Sequence, residues 1–82
     1  MEDLKKALSE GKVIFGTERT LKAIKSGEVK NIYLSKDCKE ETKEDIIYYS
    51  NIKKLNIKNL EIPASELGMI CKKQFSVAVL SF

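Results

Sequence analysis

The sequence predicts an α/β fold in which helices sandwich a sheet, and three observations carry that expectation. Helix-spaced and strand-like segments alternate along the chain in the order α β α β α β α β. The run Asn31-Ile32-Tyr33-Leu34-Ser35 is apolar through its centre and short, which suits a strand covered on both faces at the middle of a sheet. The chain has 82 residues, and one of this length buries only about 60% of its unfolded surface, so residues 1–82 form a single domain around one core.

Each element has a local reason. Asp3 is placed to cap a first helix that turns Leu4, Ala7 and Leu8 to one side, and Gly11 stops it in the left-handed conformation. Lys12–Phe15 is a short strand. Gly16-Thr17 then turns into a second helix, with Thr20, Leu21, Ala23 and Ile24 as its inner stripe and Arg19, Lys22 and Ser26 outside; Gly27 ends it. After the central strand, polar residues from Lys36 to Asp45 lead into a third helix through Tyr48 and Tyr49, which are assigned to packing. Acids crowd its first turn and its end is expected to fray around Lys53-Lys54. Leu55, Ile57, Leu60 and Ile62 mark a third strand that Pro63 closes, and Ser65 is placed to cap a brief helix over Glu66–Ile70. Gly68 permits a close approach or a tight turn, and the β-branched and aromatic stretch Phe75–Phe82 reads as the last strand.

Composition narrows the function. At 43% hydrophobic and 33% charged residues, the chain is that of a folded soluble domain. The net charge of +3 is unevenly spread. Lys12, Arg19, Lys22, Lys25 and Lys30 face only Glu18 and Glu28 over residues 11–31, and residues 47–60 hold Lys53, Lys54 and Lys58 with no acid, whereas 32–46 is net acidic. A basic face toward an anionic partner follows from this distribution. There is no histidine, so neither a Ser-His-Asp nor a Cys-His arrangement exists. Cys38 and Cys71 lack the spacing of a zinc site and read as free thiols of a reducing compartment. Glu40-Glu41 and Glu44-Asp45 read as a solvated helix start. No phosphate-binding glycine loop of the nucleotide-binding kinds occurs. No catalysis, cofactor or metal is therefore expected. With a charged N-terminus and no long apolar stretch, the expected location is cytoplasmic, with no membrane contact.

The most informative segment is Gly16-Thr17-Glu18-Arg19-Thr20-Leu21-Lys22, a turn that opens a helix with cations on its outer side. First-turn amides and the positive end of the helix dipole attract anions, and Arg19, Lys22 and Lys25 strengthen that field.

Taken with Glu44-Asp45-Ile46-Ile47-Tyr48-Tyr49, Ser65-Glu66-Leu67-Gly68 and the stretch from Lys73-Gln74-Phe75 to Ser81, this segment makes the chain resemble the small kink-turn RNA-binding ribosomal proteins of the L7Ae/L30e type. The Tyr-Tyr block and the Glu-Leu-Gly to Phe spacing favour the L30e branch of the archaeal and eukaryotic large subunit. The resemblance implies a three-layer α/β/α sandwich with a mixed four-stranded sheet. It also implies an RNA site in two segments: Gly16, Thr17, Glu18, Arg19 and Lys22 against a sharply bent backbone, and Lys72, Lys73, Gln74 and Phe75 against a flipped-out base. Glu18 stands where the family usually has Asn or Lys, with pairing to Lys22 as an alternative role. Lys72 stands where the family usually has Gly. The implied function is a non-enzymatic structural protein of the large ribosomal subunit, a monomer when free, whose partners are rRNA with a kink-turn and other ribosomal proteins. A kink-turn binder of an RNA-processing or modification particle, or a protein-interaction module on the same fold, are the alternative readings.

Overall fold

Helix and strand alternate through the whole of the computed structural model, which describes residues 2–82. The order is α1 (Glu2–Ser9), β1 (Ile14–Phe15), α2 (Thr17–Ser26), β2 (Asn31–Leu34), α3 (Glu40–Ile52), β3 (Asn56–Asn59), α4 (Ala64–Ile70) and β4 (Val79–Ser81). The strands lie in the order β1-β4-β2-β3, with β4 antiparallel to both of its neighbours and β2 parallel to β3. A parallel pair needs a crossover, which α3 supplies.

The pleat of the two central strands sorts the core into two halves. Ile32, Leu34 and Val79 point to one face and pack with Ala23 and Ile24 of α2 and Ile46 of α3. Tyr33 and Leu80 point to the other and pack with Leu4 of α1 and Leu67 of α4. The result is the expected three-layer α/β/α sandwich with a mixed four-stranded sheet. Among the described residues no helix is long and apolar enough to cross a membrane.

All four helices end in the same two-bond turn. The N–H of one residue returns to a carbonyl three back, and the next N–H to a carbonyl five back: Gly11 to Leu8 and Lys12 to Ala7, Gly27 to Ile24 and Glu28 to Ala23, Lys54 to Asn51 and Leu55 to Ser50, Lys72 to Met69 and Lys73 to Gly68. The turn requires a left-handed residue, which glycine adopts at no steric cost. Glycine serves in the first two helices, but Lys54 and Lys72 stand there in the others, at φ 57° and 58°. The third helix therefore does not fray at Lys53-Lys54; it closes, with Leu55 drawn into the turn.

Other boundaries differ from the sequence reading for local reasons. Asp3 lies inside the first turn of α1 instead of capping it. The polar lead-in to α3 is itself helical from Glu40. Helix α4 begins at Ala64, before Ser65. The Asp37 carboxylate, brought over from the loop after β2, accepts the Ala64 N–H at 2.8 Å and the Ser35 hydroxyl at 2.9 Å. These two bonds, the Ala64 amide first, hold the Asp37 carboxyl below its ordinary value.

The expected strand over Phe75–Phe82 shortens to Val79–Ser81. The Val77 N–H leaves the ladder for the Ala64 carbonyl, and the Phe75–Ser76 backbone lies directly on Gly68. A methyl group at Gly68 would overlap the Phe75 carbonyl oxygen, so the missing side chain fixes how closely α4 and this loop approach. Tyr49 packs against the core, but Tyr48 is 62% exposed and outside it, its ring meeting that of Tyr49 edge-on at 5.2 Å between centroids. Neighbouring helix positions point in different directions, and only one of the two can face inward. Cys38 and Cys71 are buried free thiols.

Two stability measurements check this description. Gly68→Ala is expected to lower the urea midpoint by about 1–3 kcal/mol of unfolding free energy, whereas Lys72→Gly and Lys54→Gly each raise it by up to about 1 kcal/mol through relief of left-handed strain. An unchanged Gly68→Ala midpoint would refute the close approach. For Asp37, a depressed folded pKa means its contribution is complete above the ordinary carboxylate value of about 3.9 and is lost as pH falls below it. Asp37→Asn should therefore flatten the stability–pH curve in that acid range, and an unaltered curve would show that the cap contributes nothing.

Candidate nucleic-acid interface

Two loops leave the sheet side by side because β1 and β4 are neighbours. Ile14 pairs with Ser81 and Phe15 with Leu80. The Gly16 N–H then donates to the Val79 carbonyl at 3.0 Å, so the residue that opens α2 is tied to the start of β4. Gly16 takes φ 101° and ψ 156°, a conformation open to glycine and strained for any side chain.

This tie has a consequence for anion binding. The Gly16 amide, expected to face phosphate, is already engaged by Val79, and the Thr20 N–H bonds back to the Gly16 carbonyl. The first-turn amides without an intrahelical partner are those of Thr17, Glu18 and Arg19, and no side chain caps them.

An open groove of about 580 Å³ runs between the two loops. Phe15, Gly16, Thr17 and Arg19 line it from one loop, Lys73 and Phe75 from the other, and Ser76–Val79 complete the lining. Five of the nine residues expected at the site thus meet in one place. Lys22 lies one turn along α2, where it shares an adjoining depression with Arg19. Lys72 faces the opposite side of Lys73 and Phe15. Glu18 and Gln74 are exposed and border no groove described here. Glu18 makes no ion pair with Lys22; among the described residues the ion pair is Lys12 with Glu10 at 3.2 Å, on the surface.

Phe75 is 57% exposed at the end of a loop whose backbone is pinned on Gly68, so its ring is displayed and is not the first core residue of a strand. Its edge meets Phe15, with ring centroids 6.4 Å apart at 89°. The Lys73 ammonium sits 4.9 Å from the Phe15 ring centroid, within cation–π range. Phe15 therefore links a cation and an aromatic ring that are otherwise separate, and it was missed in the sequence as a site residue. The available signal was its position directly before Gly16, at the end of an edge strand.

The groove has cations from Arg19 and Lys73, free helix amides, an exposed ring and no carboxylate in its lining. It suits an anionic ligand that also carries a flat apolar surface. Neither cysteine lines this groove. Cys71 is buried, and desolvation pushes its thiol up despite Lys73 nearby; Cys38 is likewise raised by burial. Among the described residues no three His, Cys, Asp or Glu side chains cluster to hold a metal ion.

Residues 1–82 match the Ribosomal protein L7Ae/L30e/S12e/Gadd45 family. The large ribosomal subunit protein eL30 of Sulfurisphaera tokodaii is 33% identical over 95% of this chain and 74% of its own length. The proteins of the same name from Sulfolobus acidocaldarius and Methanocaldococcus jannaschii are 38% and 36% identical, over 95% and 94% of this chain and 75% and 70% of their own. These relatives bear the name of a ribosomal protein and not of an enzyme, in agreement with the non-catalytic reading. A solved structure of a protein of unknown function from Bacillus halodurans superposes with a TM-score of 0.84 at 23% identity, covering 92% of this chain and 74% of that one, a likeness of fold. On family match, identity and fold together, the chain belongs to the ribosomal protein L7Ae/L30e/S12e/Gadd45 family.

Proposed function

We propose that this protein is a non-enzymatic structural component of the large ribosomal subunit that recognises a kink-turn or a similarly bent RNA. The observation that carries the reading is the groove that brings Thr17 and Arg19 from the start of α2 together with Lys73 and the exposed Phe75 ring, with no acid in its lining. The amides and cations hold phosphates, and the ring stacks on an unpaired base, which contributes about 1–3 kcal/mol per base. Such a site selects shape. A straight duplex keeps its bases stacked inside and offers nothing to Phe75, whereas a bend exposes a base and brings phosphates together. The eL30 name of the relatives supports rRNA as the target and the cytoplasmic ribosome as the location.

Glu18 lies beside this site, outside the lining of the groove. Its carboxylate is exposed at the start of α2, where it repels phosphate and accepts hydrogen bonds from base N–H groups. We assign it to a base edge and not to the RNA backbone. Tyr48 and Ile52, four residues apart on α3 and 62% and 59% exposed, support a contact with a neighbouring protein of the particle.

Because the Phe75 ring is displayed to solvent, Phe75→Ala is expected to weaken binding to a kink-turn RNA by more than about 1 kcal/mol while the thermal midpoint stays within a degree or two. Full affinity in that folded variant would remove the ring from the site. Lys72→Gly, stabilising for the fold, should weaken binding and lower the slope of log affinity against log salt by about one, whereas Lys54→Gly should leave both unchanged. Equal effects of the two variants would show that Lys72 is not retained for RNA.

A further inference from the structure

A second groove, of about 610 Å³, opens on the other side of Phe15 and Lys73, between α1 and the turn that closes α4. Helical spacing puts Lys5, Leu8 and Ser9 on one face of α1, and these form its near wall. Ile70, Cys71 and Lys72 form the far wall. Leu8, Val13, Phe15 and Ile70 are only partly buried and leave an apolar floor, while Lys5, Lys72 and Lys73 stand exposed around it. No carboxylate lines this groove, and Glu10, next to it in sequence, is occupied by Lys12. Lys72 reaches its place in the rim through the left-handed turn, at φ 58°.

An apolar floor under a rim of cations fits a nucleotide, which has an apolar face on the base and a charge on the phosphate. The two grooves share Phe15 and Lys73 in their linings, so they adjoin. We propose that the α1–α4 groove is a second nucleotide site, which takes an unpaired nucleotide flanking the one stacked on Phe75. Its base lies on the Leu8, Val13 and Ile70 floor, and its phosphate is held by Lys5 and Lys72. The proposal rests on the reading of the first groove as the RNA site.

The test uses the full chain and two kink-turn RNAs, one with a minimal unpaired bulge and one with that bulge lengthened by three uridines. Wild-type protein should bind the longer RNA about fivefold more tightly, through burial of the base on the apolar floor and the added phosphate contacts. Lys5→Ala, an exposed helix-surface change, should abolish that gain and leave affinity for the minimal RNA within twofold. Equal wild-type affinity for the two RNAs, or a gain that survives Lys5→Ala, overturns the second site and gives the groove to a different occupant, such as a protein segment. Failure of the wild-type protein to bind either RNA refutes the first site instead, which keeps the two outcomes apart. As a second readout, a photoreactive uridine in the extension should cross-link to α1 residues in the wild-type protein; cross-links confined to α2 would count against the proposal.

Discussion

The short strand β4 is the constraint on which the rest depends. Its three residues are all buried, and it pairs with β1 on one side and β2 on the other. Val79 closes the core against α2 and α3, Leu80 closes it against α1 and α4, and the Ser81 hydroxyl meets that of Thr20 in a buried bond of 3.1 Å. A polar pair at zero exposure is stable only while both members are present, so α2 is locked in register with β4. The Gly16–Val79 bond extends that lock to the mouth of the groove. The two halves of the site are therefore held together by the pairing of β1 with β4 and by the packing of the Phe75–Ser76 backbone on Gly68.

Around that frame, the protein carries cations where the fold alone prefers glycine. The helix-closing turn is made with Gly11 and Gly27 in α1 and α2 and with lysine in α3 and α4. A left-handed lysine costs on the order of 1–2 kcal/mol, so the turn after α4 is built at the expense of stability. In return it presents consecutive lysines: Lys72 borders the groove beside α1, and Lys73 stands over Phe15 between the two grooves. Strain of this kind concentrates where function requires a particular group at a particular place.

Most of the fold was legible from the residues because its signals are local. The inner stripe of α2 and the two-sided burial of Ile32-Tyr33-Leu34 appear in the structure as read, since helical spacing and a continuous apolar run leave few alternatives. What was not legible depends on contacts distant in sequence. Ser65 has the chemistry of a cap, but Asp37 reaches the helix start first through tertiary folding. Phe75–Ala78 has strand composition, yet the Gly68 contact pulls its backbone out of the ladder. The same holds at the site. The meeting of Gly16, Thr17 and Arg19 with Lys73 and Phe75 was implied by family resemblance, whereas the role of Phe15 and the engagement of the Gly16 amide follow from strand pairing that no motif encodes.

Selective recognition of bent RNA is measured by binding the purified protein to a kink-turn RNA and to a straight duplex of matched length and composition at two salt concentrations. Binding should be tight to the kink-turn and weaker to the duplex, with a steep loss with salt for both as phosphate contacts are screened. Equal, weak binding to the two RNAs would contradict it and would leave this fold as a protein-interaction module.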